Sequence, residues 1–301
     1  MDVQHLALLR ELAERGSVTE VARATHRSPS AVSQQLKTLQ RQVGAELVRR
    51  VGRGVELTDA GRALAASSIK VATAIAEAEA TWEAFRHGTT GQVTIALFPS
   101  AAELLLPGLL HRLAAHPGIE VEIIDSDVSE DEFGALAADA DVVVGHRSDG
   151  LAPPDRASLS VIALLREPLD IALPLGHPLA GGESVTLDDV IGEPWVGVPA
   201  GYPIDRVLMS MALQSGVAPR IVHRSIHLPL LENLVAAGHG IALLPRYTSG
   251  ARASGRLHLA RLENIRAGRQ IEALMRPDRA ARGAVRVVVD ELRAEAAAVT
   301  A

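Results

Sequence analysis

The 301-residue chain contains no cysteine, which removes disulfides, thiolate metal sites and any thiol-based redox switch. Aromatic residues make up only 2% of it, too few for a stacking platform on single-stranded bases. No hydrophobic run reaches the length that spans a bilayer, so no membrane association is expected. The first helical segment, residues 3–13, carries Arg10 and Glu11 among its leucines and does not read as an export signal, which predicts a cytoplasmic protein. Catalytic signatures are missing too. Gly-x-Ser-x-Gly is absent, and Gly150, Gly181-Gly182 and Gly238-x-Gly240 lack the spacing of a phosphate cradle, so no enzymatic activity and no cofactor are expected. Lysine occurs only at Lys37 and Lys70, with arginine supplying the remaining cations, a pattern of coding bias rather than chemistry.

What is present is concentrated between Ser17 and Gly61. Ser17 is placed to cap a short helix through Val18, Val21 and Ala22, and the polar run Thr25-His26-Arg27 breaks it. A second helix restarts with Ser28 as N-cap and Pro29 at the first helical position, where its missing N–H costs nothing. Val32, Leu36, Leu39 and Val43 then recur at helical spacing and form an apolar stripe, while Ser30, Gln34, Lys37 and Arg41 occupy the opposite side. One face packs and the other is free to read. Two helices joined by a short turn in this way predict a helix-turn-helix whose second helix enters the major groove of double-stranded DNA.

The exposed chemistry suits that role. Gln34 offers the paired donor and acceptor that fit an adenine edge, Ser30 and Ser33 suit base or phosphate, and Lys37 reaches guanine or backbone. Downstream, two short apolar runs flank Val51-Gly52-Arg53-Gly54, predicting a hairpin wing with Arg50 and Arg53 near its tip. Between residues 21 and 53 seven cations, Arg23, Arg27, Lys37, Arg41, Arg49, Arg50 and Arg53, face only Glu46, although the whole chain carries a net charge of -6. The positive charge is local, as a phosphate footprint requires. A charged helical hairpin packing on something else shows the same helices without the basic wing.

Residues 1–61 resemble the DNA-binding domain of LysR-type transcriptional regulators. The likeness is carried by Gly16-Ser17-Val18-Thr19, Ala22, Ser28, Ala31-Val32-Ser33-Gln34-Gln35-Leu36, Leu39, Gly44, Leu47, Arg53-Gly54 and Leu57-Thr58-Asp59-Ala60-Gly61, in register and without a gap. One departure stands out: the family usually has Gln-Pro where this chain has Pro29-Ser30, so the DNA-reading role is carried to Ser30, Ser33, Gln34 and Lys37 and not to Pro29. Some family members sense peroxide through a thiol, which this chain lacks, so its effector must act non-covalently.

After the wing, Thr58 or Asp59 is placed to cap an alanine-rich helix that runs without proline to about Arg86. Leu64, Ala65, Ile69, Ala72, Ile75, Ala76, Trp82 and Phe85 spread apolar groups along it. Such a helix is buried in its own domain or pairs with its copy, and the resemblance implies the latter, a homodimer or homotetramer. A symmetric dimer presents two reading helices, which predicts an inverted-repeat site with half-sites about one turn of DNA apart.

His87-Gly88-Thr89-Thr90-Gly91 marks a boundary, after which strand patterns alternate with helix patterns. Strands are expected at 93–97, 119–124, 141–145, 169–173, 195–198 and 241–244, and helices at 103–115, 129–138 and 206–214. The alternation predicts α/β architecture with mostly parallel sheets, and about 210 residues favour two subdomains over one. The resemblance implies more: a periplasmic-binding-protein-like effector domain with a ligand cleft between subdomains joined by crossings near 165–168 and 264–270. A final strand at 270–275 and a helix at 280–297 would then return to the first subdomain. Residues 234–245 carry this part of the likeness. The expected division is thus 1–58 winged helix-turn-helix, 59–87 linker helix and 91–301 effector domain, with subdomain I at 91–166 and 269–301 and subdomain II at 167–268.

In such folds ligands sit beyond the C-terminal ends of strands, near helix N-termini whose N–H groups favour anions. Ser100 follows the first strand at capping-box spacing from Glu103, and is either a plain N-cap or, with the Ala101 backbone, a cleft wall. Position alone also nominates Ser126, His146, Val198, Pro199 and His227 as effector-binding residues. His146 reads equally well as a solvated loop residue and His227 as the cap of a helix starting near Leu228. His223 and His227 have the i, i+4 spacing of two metal ligands on a helix, but residues 219–224 read as a strand, where that spacing does not converge, so no metal is expected. The whole predicts a DNA-binding transcriptional regulator that senses a small-molecule effector and acts with RNA polymerase at its promoters. A ligand-independent regulator with a vestigial cleft is the alternative.

Overall fold

The computed structural model describes residues 1–52, 54–149 and 158–301, so Arg53 of the expected wing lies outside the described residues. The chain begins with three helices, α1 (Val3–Arg15), α2 (Val18–Ala24) and α3 (Pro29–Val43). Ser28 caps α3 as expected, its Oγ accepting from the Ala31 N–H, and Gly44 ends the helix in the left-handed conformation. Ser17 departs from expectation: it stands at the N-cap of α2, but its hydroxyl makes no capping bond. Leu9, Val21, Val32 and Leu39 are fully buried where the three helices meet.

Strands β1 (Val48–Val51) and β2 (Gly54–Leu57) pair antiparallel as the wing, with Val48 opposite Leu57. Gln40 ties the wing to α3, its Oε1 accepting from the Leu47 and Val48 N–H groups at 2.9 and 3.0 Å. The 29-residue helix α4 (Asp59–His87) follows, capped by Thr58, whose Oγ1 accepts from Gly61 and donates to the Glu46 carbonyl. Gly61 admits no side chain, since a Cβ there would stand 2.1 Å from the Leu47 carbonyl oxygen.

The first lobe is built from β3 (Gly91–Leu97), α5 (Pro99–Leu113), β4 (Ile119–Asp125), α6 (Phe133–Leu136) and β5 (Val142–Ser148). The helix expected over 129–138 shrinks to the single turn α6. Ser129 turns back on Glu132 through two hydrogen bonds to its carboxylate, an alternative to helical bonding that short polar side chains offer. The 15-residue strand β6 (Ser160–Pro174) then leaves the first lobe and enters the second.

There the chain forms β7 (Ser184–Val185), α7 (Leu187–Val190), β8 (Pro194–Gly197), α8 (Pro203–Ser215), β9 (Arg220–Arg224), α9 (Leu228–Ala236), β10 (Ala242–Pro245), α10 (Arg246–Ala253) and β11 (Leu257–Leu262). Strand β12 (Gly268–Met275) returns beside β6, and α11 (Pro277–Ala281) and α12 (Gly283–Thr300) close the first lobe. The single terminal helix expected over 280–297 is interrupted at Arg282, whose backbone is extended.

The sheet runs β4-β3-β5-β12-β6-β11-β7, with β10 also paired to β6. It is mixed rather than mostly parallel. Strand β3 is parallel to β4 and β5, but β12 is antiparallel to β5 and β6, and β10 and β11 are antiparallel to β6, because the two crossing strands run in opposite directions between the lobes. Each lobe has its own core, one around Ile95, Leu105, Val288 and Leu292 and the other around Trp195, Met211 and Leu243. In the second, Gly240 lets the chain pass Pro194, whose carbonyl oxygen would lie 2.4 Å from any Cβ at that position.

Helix α4 does not stand clear of the rest. It packs against α1 on the N-terminal side and against α11 of the first lobe, which covers part of the apolar stripe expected to meet a second chain. Trp82 and Phe85 at its far end stay exposed, stacked on one another at 5.9 Å. Among the described residues, no helix is long and apolar enough to cross a membrane.

Candidate functional site

Two surfaces carry chemistry. On α3 the buried stripe Val32, Leu36 and Leu39 turns Ser30, Gln34, Lys37 and Arg41 outward. Gln34 and Lys37 make no side-chain hydrogen bond or ion pair among the described residues, so a paired amide and a point charge face solvent one helical turn apart. Ser33 is half-buried, and Ser30 shares a 3.0 Å hydrogen bond with the capping Ser28. Arg50 is exposed on β1 without an ionic partner among the described residues. Two of the cations counted in the sequence are already paired, Arg23 with Glu20 at 2.8 Å and Arg49 with Glu56 at 3.3 Å, and a third, Arg27, is half-buried and donates to Gln35 Oε1, so among the described residues Lys37, Arg41 and Arg50 make up the open positive face. Periodicity did not reveal the role of Gln40, a polar residue turned inward to hold the wing.

The second surface is a cavity of about 160 Å³ between the lobes. Helices α5, α8 and α9 all begin at its wall, and α10 and β12 contribute Arg252 and Arg269. Of the residues nominated by position, Ser100, His146, Val198 and His227 line it. Ala101, Ser126 and Pro199 do not. Ala101 is fully buried behind the wall, and Ser126 gives way to its neighbour Asp127, its own N–H being bonded to the Leu97 carbonyl. Pro199 gives way to Val198, the adjoining residue.

Ser100 is not an N-cap. Pro99 already occupies the first position of α5 behind Phe98, so Ser100 sits inside the first turn and its Oγ accepts from Arg269 Nη2 at 3.0 Å. His227 does occupy the N-cap of α9, yet its side chain makes no capping bond. His223 lies on β9 with its ring against His239 at 5.9 Å, so it shares no helical face with His227. Among the described residues no group of three or more potential ligands could hold a metal ion.

His146 is not a solvated loop histidine. It stands on β5 with its ring edge-on to Phe98 at 4.6 Å and to Phe133 at 5.0 Å, and its Nδ1 is buried without a hydrogen-bond partner among the described residues. Burial, helped by the Arg269 charge, pushes its pKa down to about 3 from an ordinary 6.5, so the imidazole is neutral. Below pH 6.5 the unfolded chain takes up a proton that the folded chain refuses, so this group lowers stability as pH falls from 6.5 toward 3. The loss should reach about 2 kcal/mol at pH 5 relative to pH 7. Urea unfolding of wild type and His146→Phe at both pH values checks it: the variant should lose that part of the dependence, and equal slopes would refute the assignment.

Arg269 and Arg252 were invisible to sequence reasoning because both reach the cavity through long-range pairing. Arg269 bonds Glu167 through Nε at 2.9 Å and Nη2 at 2.6 Å and lies over the Phe98 ring at 5.0 Å. Arg252 of the second lobe bonds Glu232 of α9 at 2.7 Å and reaches across to Glu103 of α5 in the first. Burial lowers the Arg252 pKa and raises that of Asp127.

A winged helix-turn-helix joined by a long helix to two lobes that enclose a cavity is the architecture of a DNA-binding regulator with a sensing domain. The comparisons agree. Residues 3–62 match the family described as bacterial regulatory helix-turn-helix protein, lysR family, and residues 86–297 match the LysR substrate binding domain. The chain belongs to the LysR family of transcriptional regulators. It is 32% identical over 246 residues to the HTH-type transcriptional regulator GbpR of Rhizobium radiobacter, an alignment covering 80% of each chain. In fold it is similar to a full-length OxyR variant from Pseudomonas aeruginosa, with TM-score 0.67 and 18% identity over 97% of this chain and 95% of that one. It is also similar to full-length CbnR in complex with its target DNA, with TM-score 0.53 and 21% identity over 98% of this chain and 100% of that one.

Proposed function

We propose that this regulator binds an interrupted inverted repeat in promoter DNA as a homodimer or homotetramer, reading each half-site with α3. On this reading residues 1–58 form the DNA-binding domain, 59–87 the linker helix and 91–301 the effector domain. Ser30, Ser33, Gln34, Lys37 and the wing arginines Arg50 and Arg53 contact DNA. The observation that carries it is the outward row of Gln34 and Lys37, whose side chains have no partner among the described residues. A small-molecule effector enters the cavity lined by Ser100, His146, Val198 and His227, and its binding shifts the lobes, which changes the presentation of the DNA-binding heads. The protein acts in the cytoplasm, contacts RNA polymerase at its target promoters and catalyses no reaction.

The test is binding of the purified protein to genomic fragments, followed by footprinting of the best site at two salt concentrations. An interrupted inverted repeat protected with steep salt dependence is expected; absence of even non-specific binding would overturn the reading. On that site Gln34→Ala should cost about 1–3 kcal/mol while leaving affinity for random DNA nearly unchanged. Titrations on both DNAs decide it, and an equal loss on the two would make Gln34 a backbone contact.

A further inference from the structure

Residues 127–139 connect the cavity, the second lobe and the DNA-binding helices. Asp127 lines the cavity. Glu130 is buried, accepts from the N–H and Oγ of Ser148 on β5 at 3.4 and 3.2 Å, and lies 3.7 Å from Arg206 of α8 in the second lobe. Arg206 is fixed at the start of that helix, its Nε donating to the Gly201 carbonyl at 3.0 Å, a few residues from Tyr202 and Pro203 of the cavity wall. Phe133 is buried 5.0 Å from His146 and 5.8 Å from Phe98, and so close to β5 that a Cβ on Gly145 would stand 2.9 Å from its Cγ. At the far end the Ala138 carbonyl and Asp139 Oδ1 accept from Nη2 of Arg15, the last residue of α1, at 3.0 and 2.8 Å.

Little fixes this segment from within. Its one helix is the single turn α6, and its backbone bonds are short-range turns, Glu132 to Ser129, Ala135 to Glu132 and Ala138 to Ala135. A space of about 300 Å³ lies beside it, with Gly134, Ala135 and Ala138 on one side and Glu14 of α1 and Arg276 on the other. The segment therefore has room to change its distance from α1. Helix α4 also packs on α1 and on α11, but among the described residues none of α4 lines the cavity, so it does not meet both sites as residues 127–139 do.

We propose that residues 127–139 couple the separation of the lobes to the seating of the DNA-binding head. When the lobes are together, Arg206 meets Glu130 and holds the segment in place, which presents Ala138 and Asp139 to Arg15 and keeps α1 on the first lobe. When the lobes part, that hold is lost, the segment shifts and α1 is released. The regulatory meaning of the coupling rests on the reading of this cavity as the effector site: a ligand then needs only to change the distance between the lobes to change how α3 is presented to DNA.

The chain has no cysteine, so a single introduced thiol reports on this contact alone. Ala138→Cys places one at the space between the segment and α1, and its rate of modification by a thiol reagent follows the fraction of full-length molecules in which α1 has left. In that background Arg206→Ala should raise the rate about threefold, and Arg206→Glu, which sets a like charge against Glu130, by more. Arg15→Ala removes the grip directly and should raise the rate at least as much as Arg206→Ala. Combined with it, Arg206→Ala should add nothing, because both act through one contact. Arg206 is exposed, so its variants should fold. A rate unchanged by both Arg206 variants, no response to Arg15→Ala, or additive effects of Arg206→Ala and Arg15→Ala overturns the proposal, additivity meaning that the lobe contact loosens the segment without reaching α1. No effector enters the experiment, so a wrong reading of the cavity leaves its outcome unchanged. Binding of the same preparations to the footprinted DNA is read in parallel. If DNA binding persists while the rate ignores Arg206, the coupling is wrong and the regulator reading stands.

Discussion

Replacing Arg269 with Met should destabilise the protein by about 3–5 kcal/mol, the cost of stranding a buried charge without its partner. The stranded group is Glu167, which is 0% exposed and lies directly opposite Arg269 where β6 and β12 cross between the lobes. Its second oxygen, Oε1, accepts from the Thr248 N–H at 2.9 Å and Oγ1 at 2.8 Å, so the second lobe is attached to the same carboxylate. Arg269 in turn donates to Ser100 of the first lobe. One ion pair thus joins both lobes at the floor of the cavity, and its loss should loosen their mutual position as well as lower stability. Urea unfolding measures the first effect. The double variant Arg269→Met with Glu167→Gln removes the stranded charge and should recover part of the loss, which distinguishes an uncompensated carboxylate from simple loss of packing. A single variant within 1 kcal/mol of wild type would mean that water reaches Glu167, contrary to its burial.

The contrast between the two surfaces explains what was legible in the sequence. The α3 surface was readable because everything that makes it is local: Ser28 and Pro29 start the helix, and the spacing of Val32, Leu36 and Leu39 decides which residues face out. The cavity was readable only as a set of strand ends. Four of the seven nominated residues line it because a strand end and a helix start each fix one position to within a residue, which is why Asp127 replaced Ser126. Of the two readings of Ser100, the plain N-cap fails for a local reason, since Pro99 claims the first helical position and moves the cap to Phe98. Arg269 and Arg252 are different in kind. They meet residues 102 and 149 positions away, at Glu167 and Glu103, and no periodicity marks a residue whose partner is chosen by the closing of a sheet. The antiparallel crossings escaped for the same reason: alternation of strands with helices predicts parallel neighbours and says nothing of strands that change lobes.

The docking of α1 onto the first lobe was equally unannounced, and it gives the second large effect. Arg276, with 5% of its side chain exposed, follows β12 and pairs with Glu11 at 2.7 Å and Glu14 at 3.3 Å of α1. Arg10 answers with Asp278 at 3.1 Å, and Arg15 bonds Glu11, Asp139 and the Ala138 carbonyl. Burial pushes the Glu11 carboxyl up, but the hydrogen bonds and charges of Arg15 and Arg276 outweigh it and hold the group below its usual value of 4.5, whereas Glu14 is raised by burial. Arg276→Met would leave two neighbouring carboxylates partly buried, at a cost of about 3 kcal/mol. The N-terminal helices and the first lobe have separate cores, so this cost should appear as separation of the two bodies rather than as global unfolding. Small-angle scattering should show a larger radius of gyration for the variant at neutral pH, with the circular dichroism of wild type. The sign of the Glu11 shift adds a pH test. A depressed carboxylate stabilises the contact above its unfolded value and loses that contribution as pH falls through the folded one, so wild type should open as the pH falls below the ordinary carboxylate value while the variant is already open. An unchanged scattering profile for Arg276→Met would mean that α4, which packs on both bodies, holds them together without the ion pairs.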